Sequence, residues 1–366
     1  MEKLPFTAES VLRALSYVDD PDLKKDIVSL NMVQDLHVSG NEVSFRLVLT
    51  TPACPLKEVL TRACENAIRQ FIGDQVSVQI KVDAEVTGRK PTAVLPQVKN
   101  IVAIASGKGG VGKSTVAVNL ALALAHEGAR VGLLDADIYG PSVPTMLGIK
   151  GQRPPVVELE AGLRMKPIPV AGISALSIGL LIEDAQAVVW RGPMVSSALR
   201  QLVSDCDWGE LDYLIVDLPP GTGDIHLTLV QTVPLSGAVI VTTPQEVALA
   251  DARKAAAMFR IKPISVPILG VVENMSFFAP PELPGRRYYL FGKGGGKKLA
   301  DEFQVPLLAE IPMVEQLREL EDEGNLPDGS LPEDLRRAFA ELAGEVARQI
   351  AMQNASLRQT VESEVS

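Results

Sequence analysis

Apolar positions along this chain recur with three different periods, and the order of those periods divides it in two. From Thr7 to about Val18, the residues Val11, Leu12, Leu15 and Val18 repeat at helical spacing behind a Thr or Ser cap, and Asp19-Asp20-Pro21-Asp22 ends the run. Two alternating segments, Val33 to Val38 and Val43 to Leu49, flank a turn at Gly40-Asn41 and predict a hairpin with Val43, Phe45, Leu47 and Leu49 on one face. A helical stripe follows in Leu56, Val59, Leu60, Ala63, Ala67, Ile68 and Phe71, then a third alternating strand in Val76, Val78, Ile80 and Val82. Residues 1–86 therefore read as a small α+β domain with a half-buried sheet.

Residues 87–99, with Gly88, Pro91 and Pro96 and no clear period, read as a linker. Beyond it, short and nearly continuous apolar runs alternate with helical patterns: Ile101 to Ala105, Val131 to Leu134, Tyr213 to Val216, Ala238 to Val241 and Leu269 to Val272. Strands of that kind are buried on both faces, so residues 100–354 predict an α/β domain with a mostly parallel sheet wrapped by helices. Its last helix carries Leu335, Phe339, Leu342, Val346 and Ile350, and residues 355–366 form a polar tail expected to be loose.

Composition narrows the partners. A length of 366 residues, 46% hydrophobic and 22% charged, suits two globular domains, and a net charge of −10 argues against a broad nucleic-acid footprint. Met1-Glu2-Lys3-Leu4-Pro5 lacks the features of a signal peptide, and the longest uncharged apolar stretch, about Pro169 to Ile182, is too short to span a bilayer. A cytoplasmic protein with neither nucleic acid nor membrane as partner is expected. Cys54, Cys64 and Cys206 form no C-x-x-C and no disulfide framework. Cys64 continues an apolar stripe and reads as buried, and Cys206 has no partner pattern.

The chemistry centres on Gly107-Lys108-Gly109-Gly110-Val111-Gly112-Lys113-Ser114-Thr115, which fits G-x-x-x-x-G-K-[ST] between a strand and a helix. Glycines let successive N–H groups point at phosphate oxygens, and the helix adds the positive end of its dipole. A polyphosphate is the expected ligand, with Lys113 on its β- and γ-phosphates, the Ser114 hydroxyl on Mg²⁺, and Thr115 one step further into the nest. Lys108 is either a solvated loop cation or a second ammonium beside the phosphates. Asp135 and Asp137 sit at the carboxyl edge of the second strand, where acids organise Mg²⁺ waters or an attacking water. Leu211 to Asp217 is an apolar strand ending in a carboxylate suited to holding Mg²⁺ through water, and Gly221-Thr222-Gly223 after it suits a switch that senses the γ-phosphate. Cys54, in Thr50-Thr51-Pro52-Ala53-Cys54-Pro55, falls at a strand-to-helix junction as the expected helix cap, where N–H groups would lower its pKa. That makes it either a metal ligand or nucleophile, or a small capping residue with an inert thiol. Asn274 ends a strand in Val272-Glu273-Asn274-Met275-Ser276, and the run at Lys293, Lys297 and Lys298 reads as a turn before a helix.

The loop Gly107 to Thr115, with its extra lysine, resembles the deviant Walker A of the nitrogenase iron protein, MinD and Mrp group of ATPases. The segment from Trp190-Arg191-Gly192-Pro193-Met194 through Asp224, together with Val272 to Ser276 and Phe291 to Gly296, narrows this to the Mrp family of iron–sulfur carrier ATPases. Asp26-Ile27-Val28-Ser29-Leu30 followed by Thr50 to Pro55 resembles the small domain of iron–sulfur assembly proteins, which carries this cysteine. The resemblance implies a homodimer in which Lys108 reaches the nucleotide of the facing subunit. It also implies that Asp137 positions the attacking water with Asp135 in support, that Asn274 faces the base, and that Cys54 is a candidate cluster ligand.

One stretch departs from the family. Many members carry C-x-x-C between the asparagine motif and F-G-x-G-G, so that a dimer offers four thiolates to a bridging cluster, whereas Phe277 to Arg287 contains no cysteine. Two readings follow: an Mg²⁺-dependent ATPase that carries iron–sulfur clusters to apoproteins, or a nucleotide-switched adaptor that leaves the cluster to assembly factors. A partition ATPase would need lipid or DNA affinity, against which the acidic charge and polar tail speak. A reductase would need more cysteine in the ATPase domain than Cys206.

Overall fold

A computed structural model describes residues 6–89, 94–159, 162–181, 192–223, 226, 229–230, 233–262, 264–280, 282–283, 285–328 and 331–365. Two compact units emerge: Met1–Thr87 with Ala347–Ser366, and Gly88–Val346. Trp190, Arg191 and Asp224, which carry part of the family resemblance, lie outside the described residues.

In the smaller unit, α1 (Ala8–Leu15) starts where the Thr7 hydroxyl accepts the Ser10 N–H. The expected Asp-Pro stop is a small antiparallel turn, β1 (Asp19–Asp20) with β2 (Lys25–Asp26), in which Asp20 accepts N–H bonds from Asp22 and Leu23. The hairpin β3 (Val33–Ser39) and β4 (Glu42–Leu49) forms as the alternation predicts. Next come α2 (Lys57–Phe71) and β5 (Ser77–Ala84), which pairs parallel to β4. Val43, Phe45, Leu47 and Leu49 of β4 are buried with Leu60, Cys64 and Ile68 of α2 and Val11 and Leu15 of α1, so one sheet face is dry.

In the larger unit the first strand is longer than its apolar core suggests: β6 (Val98–Ala105) takes in the last residues assigned to the linker. Then follow α3 (Lys113–His126), β7 (Val131–Asp135), α4 (Val143–Met146), the hairpin β8 (Val156–Leu159) with β9 (Gly162–Met165), β10 (Ile168–Val170) and β11 (Ile173–Ser177). The remainder is α5 (Gly192–Ser204), β12 (Leu211–Asp217), β13 (Gly237–Thr242), α6 (Glu246–Arg260), β14 (Ile268–Phe278), α7 (Gly295–Phe303), β15 (Leu307–Met313), α8 (Glu315–Glu323) and α9 (Glu333–Val365). The main sheet has the order β10-β11-β7-β12-β6-β13-β14-β15, parallel except where β10 meets β11. Its central strands β12, β6 and β13 are buried on both faces, as their unbroken apolar runs require. The carboxyl ends of β6, β7 and β12 therefore lie side by side, with Asp217 in register with Asp135.

The C-terminus corrects an expectation. Instead of a loose polar tail after Asn354, α9 continues to Val365, because Ala355 to Val365 contains no Gly or Pro and polarity by itself only exposes a helix. From Ala347 onward α9 belongs with the small unit. Arg348 forks onto Asp22 with bonds of 2.6 and 2.8 Å, and the Asn354 amide donates to the Thr87 carbonyl. Arg348→Ala leaves Asp22 half-shielded and without this partner, and should destabilise the small unit by about 1–3 kcal/mol. Hydrogen exchange over β1 and β2 is the measurement, and faster exchange is the expected result.

Candidate functional site

The phosphate loop is built by a strand that stops and a helix that starts at the centre of the sheet. β6 ends at Ala105, Ser106 to Gly112 turn, and α3 begins at Lys113. Two glycines carry the turn. A Cβ on Gly107 would lie 2.0 Å from the Asp251 carbonyl carbon, so the loop crosses the backbone of α6 where no side chain fits. Gly112, at φ +78°, caps α3 in the left-handed region, and a Cβ there would lie 2.1 Å from Asn274 Nδ2. The Asn274 amide donates to the Val111 carbonyl at 2.9 Å, so the far strand β14 pins the loop from below. Val111 is buried, while Gly109 and Gly110 form the exposed tip. The Ser106 hydroxyl donates to the Lys108 carbonyl, and the Gly221 N–H donates to the Ser106 carbonyl at 3.0 Å, which ties the Gly221-Thr222-Gly223 turn to the loop.

Sequence reasoning expected Lys113, Asp137 and Asp217 together, and the fold brings them together. Lys113 Nζ lies 2.6 Å from Asp217 Oδ1, 3.6 Å from Asp137 Oδ2 and 3.4 Å from Ser114 Oγ, with only 6% of its side chain exposed. An ammonium so shielded interacts with its acids through little water, which strengthens the attraction. Asp217 Oδ2 and Asp137 Oδ1 are both buried without a hydrogen-bond partner among the described residues. Burial pushes the Asp217 pKa up, opposed by Lys113 and Ser114. Asp135 is different: Ser177 Oγ donates to one of its oxygens at 2.8 Å and the Asp137 N–H to the other at 3.1 Å. Its pKa is also raised, by burial and by the charge of Asp217. Asp135 therefore braces the chain that carries Asp137, and both of its oxygens are occupied.

The two orphaned carboxylate oxygens and the Ser114 hydroxyl are a donor set suited to Mg²⁺, a hard cation usually held by one or two carboxylates, water and substrate phosphates. No cluster of three or more His, Cys, Asp or Glu residues able to hold a metal occurs among the described residues. Loop residues Lys108, Gly109, Gly110, Gly112, Lys113, Ser114 and Thr115 line a cleft of about 240 Å³ with Asp137, Ser142 and Met146. That is below the ~300–1,000 Å³ of pockets that enclose a whole small molecule, and suits a phosphate chain. Lys108 has no ion-pair partner among the described residues. Ser177 and Glu321, which receives the Thr115 hydroxyl at 3.1 Å, were missed by sequence reasoning because no spacing links them to the loop, and Ser106, next to Gly107, was missed because it falls outside the motif.

Cys54 departs from expectation twice. α2 starts at Lys57, with Leu56 rather than Cys54 at the cap position. The dihedral angles of Leu56, φ −91° and ψ 2°, lie at the edge of helical space, so Pro55 sits in a preceding turn. Burial pushes the Cys54 thiol up, and the charges of Asp20 and Asp22 add to it, outweighing the Leu56 N–H and Arg348. The lowered pKa expected at a helix N-terminus is not found. Cys64 is buried, with its pKa pushed up to about 12 by burial, as a small core residue should be. Cys206 is buried against the main core and its pKa is likewise about 12. The expected turn before a helix holds Lys293, with Gly292 and Gly294 at positive φ, while Lys297 and Lys298 stand in the first turns of α7.

Comparison with known proteins extends the geometry. A family model described as NUBPL iron-transfer P-loop NTPase matches residues 97–350, and one described as iron-sulfur cluster assembly protein matches residues 8–82. The chain is 51% identical over 350 residues to the iron-sulfur cluster carrier protein of Synechocystis sp., covering 94% of this chain and 98% of that one. It is 50% identical over 344 residues to the iron-sulfur cluster carrier protein of Deinococcus radiodurans, covering 93% and 95%. Among solved structures, a nucleotide-binding protein from Archaeoglobus fulgidus in complex with ADP superposes with a TM-score of 0.56 at 38% identity, covering 65% of this chain and 90% of that one. No helix among the described residues is long and apolar enough to cross a membrane.

Two outcomes follow from the geometry. Asn274→Ala removes a side-chain donor from the buried Val111 carbonyl, and should lower the melting temperature by the equivalent of about 1–3 kcal/mol. A raised thiol pKa puts thiolate formation at higher pH, so alkylation of Cys54, followed site by site by mass spectrometry, should still be accelerating at pH 9.

Proposed function

The chain belongs to the family of NUBPL iron-transfer P-loop NTPases, and from that premise we propose that it is a cytoplasmic, Mg²⁺-dependent ATPase that works as a homodimer and delivers iron–sulfur clusters to apoproteins. The observation that carries the proposal is the buried ammonium of Lys113 held between Asp217 and Asp137, with one oxygen of each acid left over. Phosphates entering the loop would draw Lys113 toward the β- and γ-oxygens and free Asp217 Oδ1. Ser114 and Asp217 would then hold Mg²⁺, the latter through water, and the ion would supply charge neutralisation to the phosphates. Asp137 orients the attacking water for in-line displacement, the Gly221-Thr222-Gly223 turn senses the γ-phosphate when the Gly221 N–H leaves the Ser106 carbonyl for it, and Asn274 contacts adenine as well as the loop. Lys108, half-buried on the cleft and without an ion pair among the described residues, suits the phosphates of a facing subunit.

In this proposal residues 1–86 form the cluster-handling domain, 87–99 the linker and 100–354 the ATPase, with the cluster as cargo. Cys54 is its candidate ligand. The absence of C-x-x-C from Phe277 to Arg287 and the raised thiol pKa of Cys54 favour a second reading, an adaptor that recruits apoproteins and assembly factors while another protein holds the cluster.

Lys113→Ala should abolish Mg²⁺-dependent phosphate release from ATP, and retained turnover would refute the ATPase assignment. Anaerobic reconstitution with iron and sulfide separates the two readings: stoichiometric cluster that disappears in Cys54→Ala identifies a carrier, while no cluster alongside intact turnover identifies the adaptor.

A further inference from the structure

Thr115 stands at the first turn of α3 with the phosphate cleft on one side and a carboxylate on the other. Its hydroxyl donates to Glu321 Oε2 at 3.1 Å, across 206 positions of sequence. The second oxygen, Glu321 Oε1, is buried without a hydrogen-bond partner among the described residues. Burial raises the Glu321 pKa to about 7, so the group is a carboxylate mainly above neutral pH, beside a loop whose task is to collect negative charge.

α8 has little freedom to take Glu321 elsewhere. Leu317 anchors it in the core, and its C-terminus abuts the turn after α4, where a Cβ on Gly324 would lie 2.7 Å from Gly148 Cα and 2.8 Å from the Thr145 carbonyl oxygen. α4 itself follows the segment of Asp137 and lines the cleft through Met146. Glu321 is thus held against the rim of the phosphate site by an element that also touches the chain leading from a proposed catalytic acid.

We propose that Glu321 is a positioning residue that competes with a nucleotide phosphate for the Thr115 hydroxyl, tying α8 to the phosphate loop until a nucleotide takes that hydroxyl. The inference rests on the nucleotide-binding reading above. A hydroxyl given to a carboxylate makes a charge-assisted bond, roughly twice as strong as one given to a neutral acceptor. The carboxylate therefore holds nucleotide affinity down, which favours product release, and α8 reports whether the loop is filled.

The test is ADP affinity by titration at pH 8.5 for the native chain, Glu321→Gln, Thr115→Val and the double variant. Glu321→Gln keeps an acceptor of the same shape and removes the charge, so ADP should bind about tenfold tighter. In the Thr115→Val background the same change should gain less than about twofold, since no hydroxyl is left to contest. An unchanged affinity in Glu321→Gln, or an equal gain in both backgrounds, overturns the competition. Hydrogen exchange of the native chain needs no variant: ADP should speed exchange across Glu315–Glu323, and unchanged exchange with ADP bound overturns the release of α8. A native chain that binds no ADP overturns the nucleotide reading itself, which is a different result from native binding that Glu321→Gln fails to alter.

Discussion

Everything in the larger unit serves one electrostatic constraint: a cation must sit among acids where water is nearly absent. Lys113 meets it with two carboxylates within 4 Å, and neither acid is fully satisfied by it. Burial makes ionised Asp217 and Asp135 costly, and the lysine, the Ser177 hydroxyl and backbone N–H groups offset that cost. Such a site is poised for exchange. A phosphate and a divalent cation would together supply the charges that Lys113 and the acids supply to each other.

The parallel sheet is what makes the constraint achievable. Parallel order places the ends of β6, β7 and β12 at one edge, so a lysine and two aspartates more than twenty residues apart converge without any long loop. Rigid neighbours then fix the loop: Asn274 from β14, the backbone of α6 under Gly107, and Gly221 after β12. Contacts on α8 reach the same loop from outside the sheet. The loop is therefore held by one small set of hydrogen bonds from β14, the turn after β12 and α8.

The small unit is governed by different physics. It is a three-stranded sheet with one dry face, and Cys54 is enclosed by Asp20, Asp22, Thr51 and the Arg348 to Met352 turn of α9. Desolvation and two nearby acids keep that thiol protonated, the opposite of what a helix N-terminus alone would do. A thiol of this kind becomes a ligand only when its surroundings change or a metal displaces its proton.

The sequence by itself determined the periodicities, the phosphate loop and the acids at strand ends, because each is a local pattern: Gly107 to Thr115 is contiguous, and Asp217 announces itself by the apolar strand before it. The hairpin, the helical stripes and the burial of Cys64 were legible for the same reason. Only the tertiary structure decided what each polar group faces. It turned Asn274 onto the Val111 carbonyl, gave both oxygens of Asp135 to Ser177 and Asp137, set Glu321 against Thr115, and joined α9 from Ala347 onward to the small unit. Those pairings span tens to hundreds of residues and depend on strand order and packing. A hydrogen bond or a desolvated charge is a property of the neighbours, and no local pattern names them.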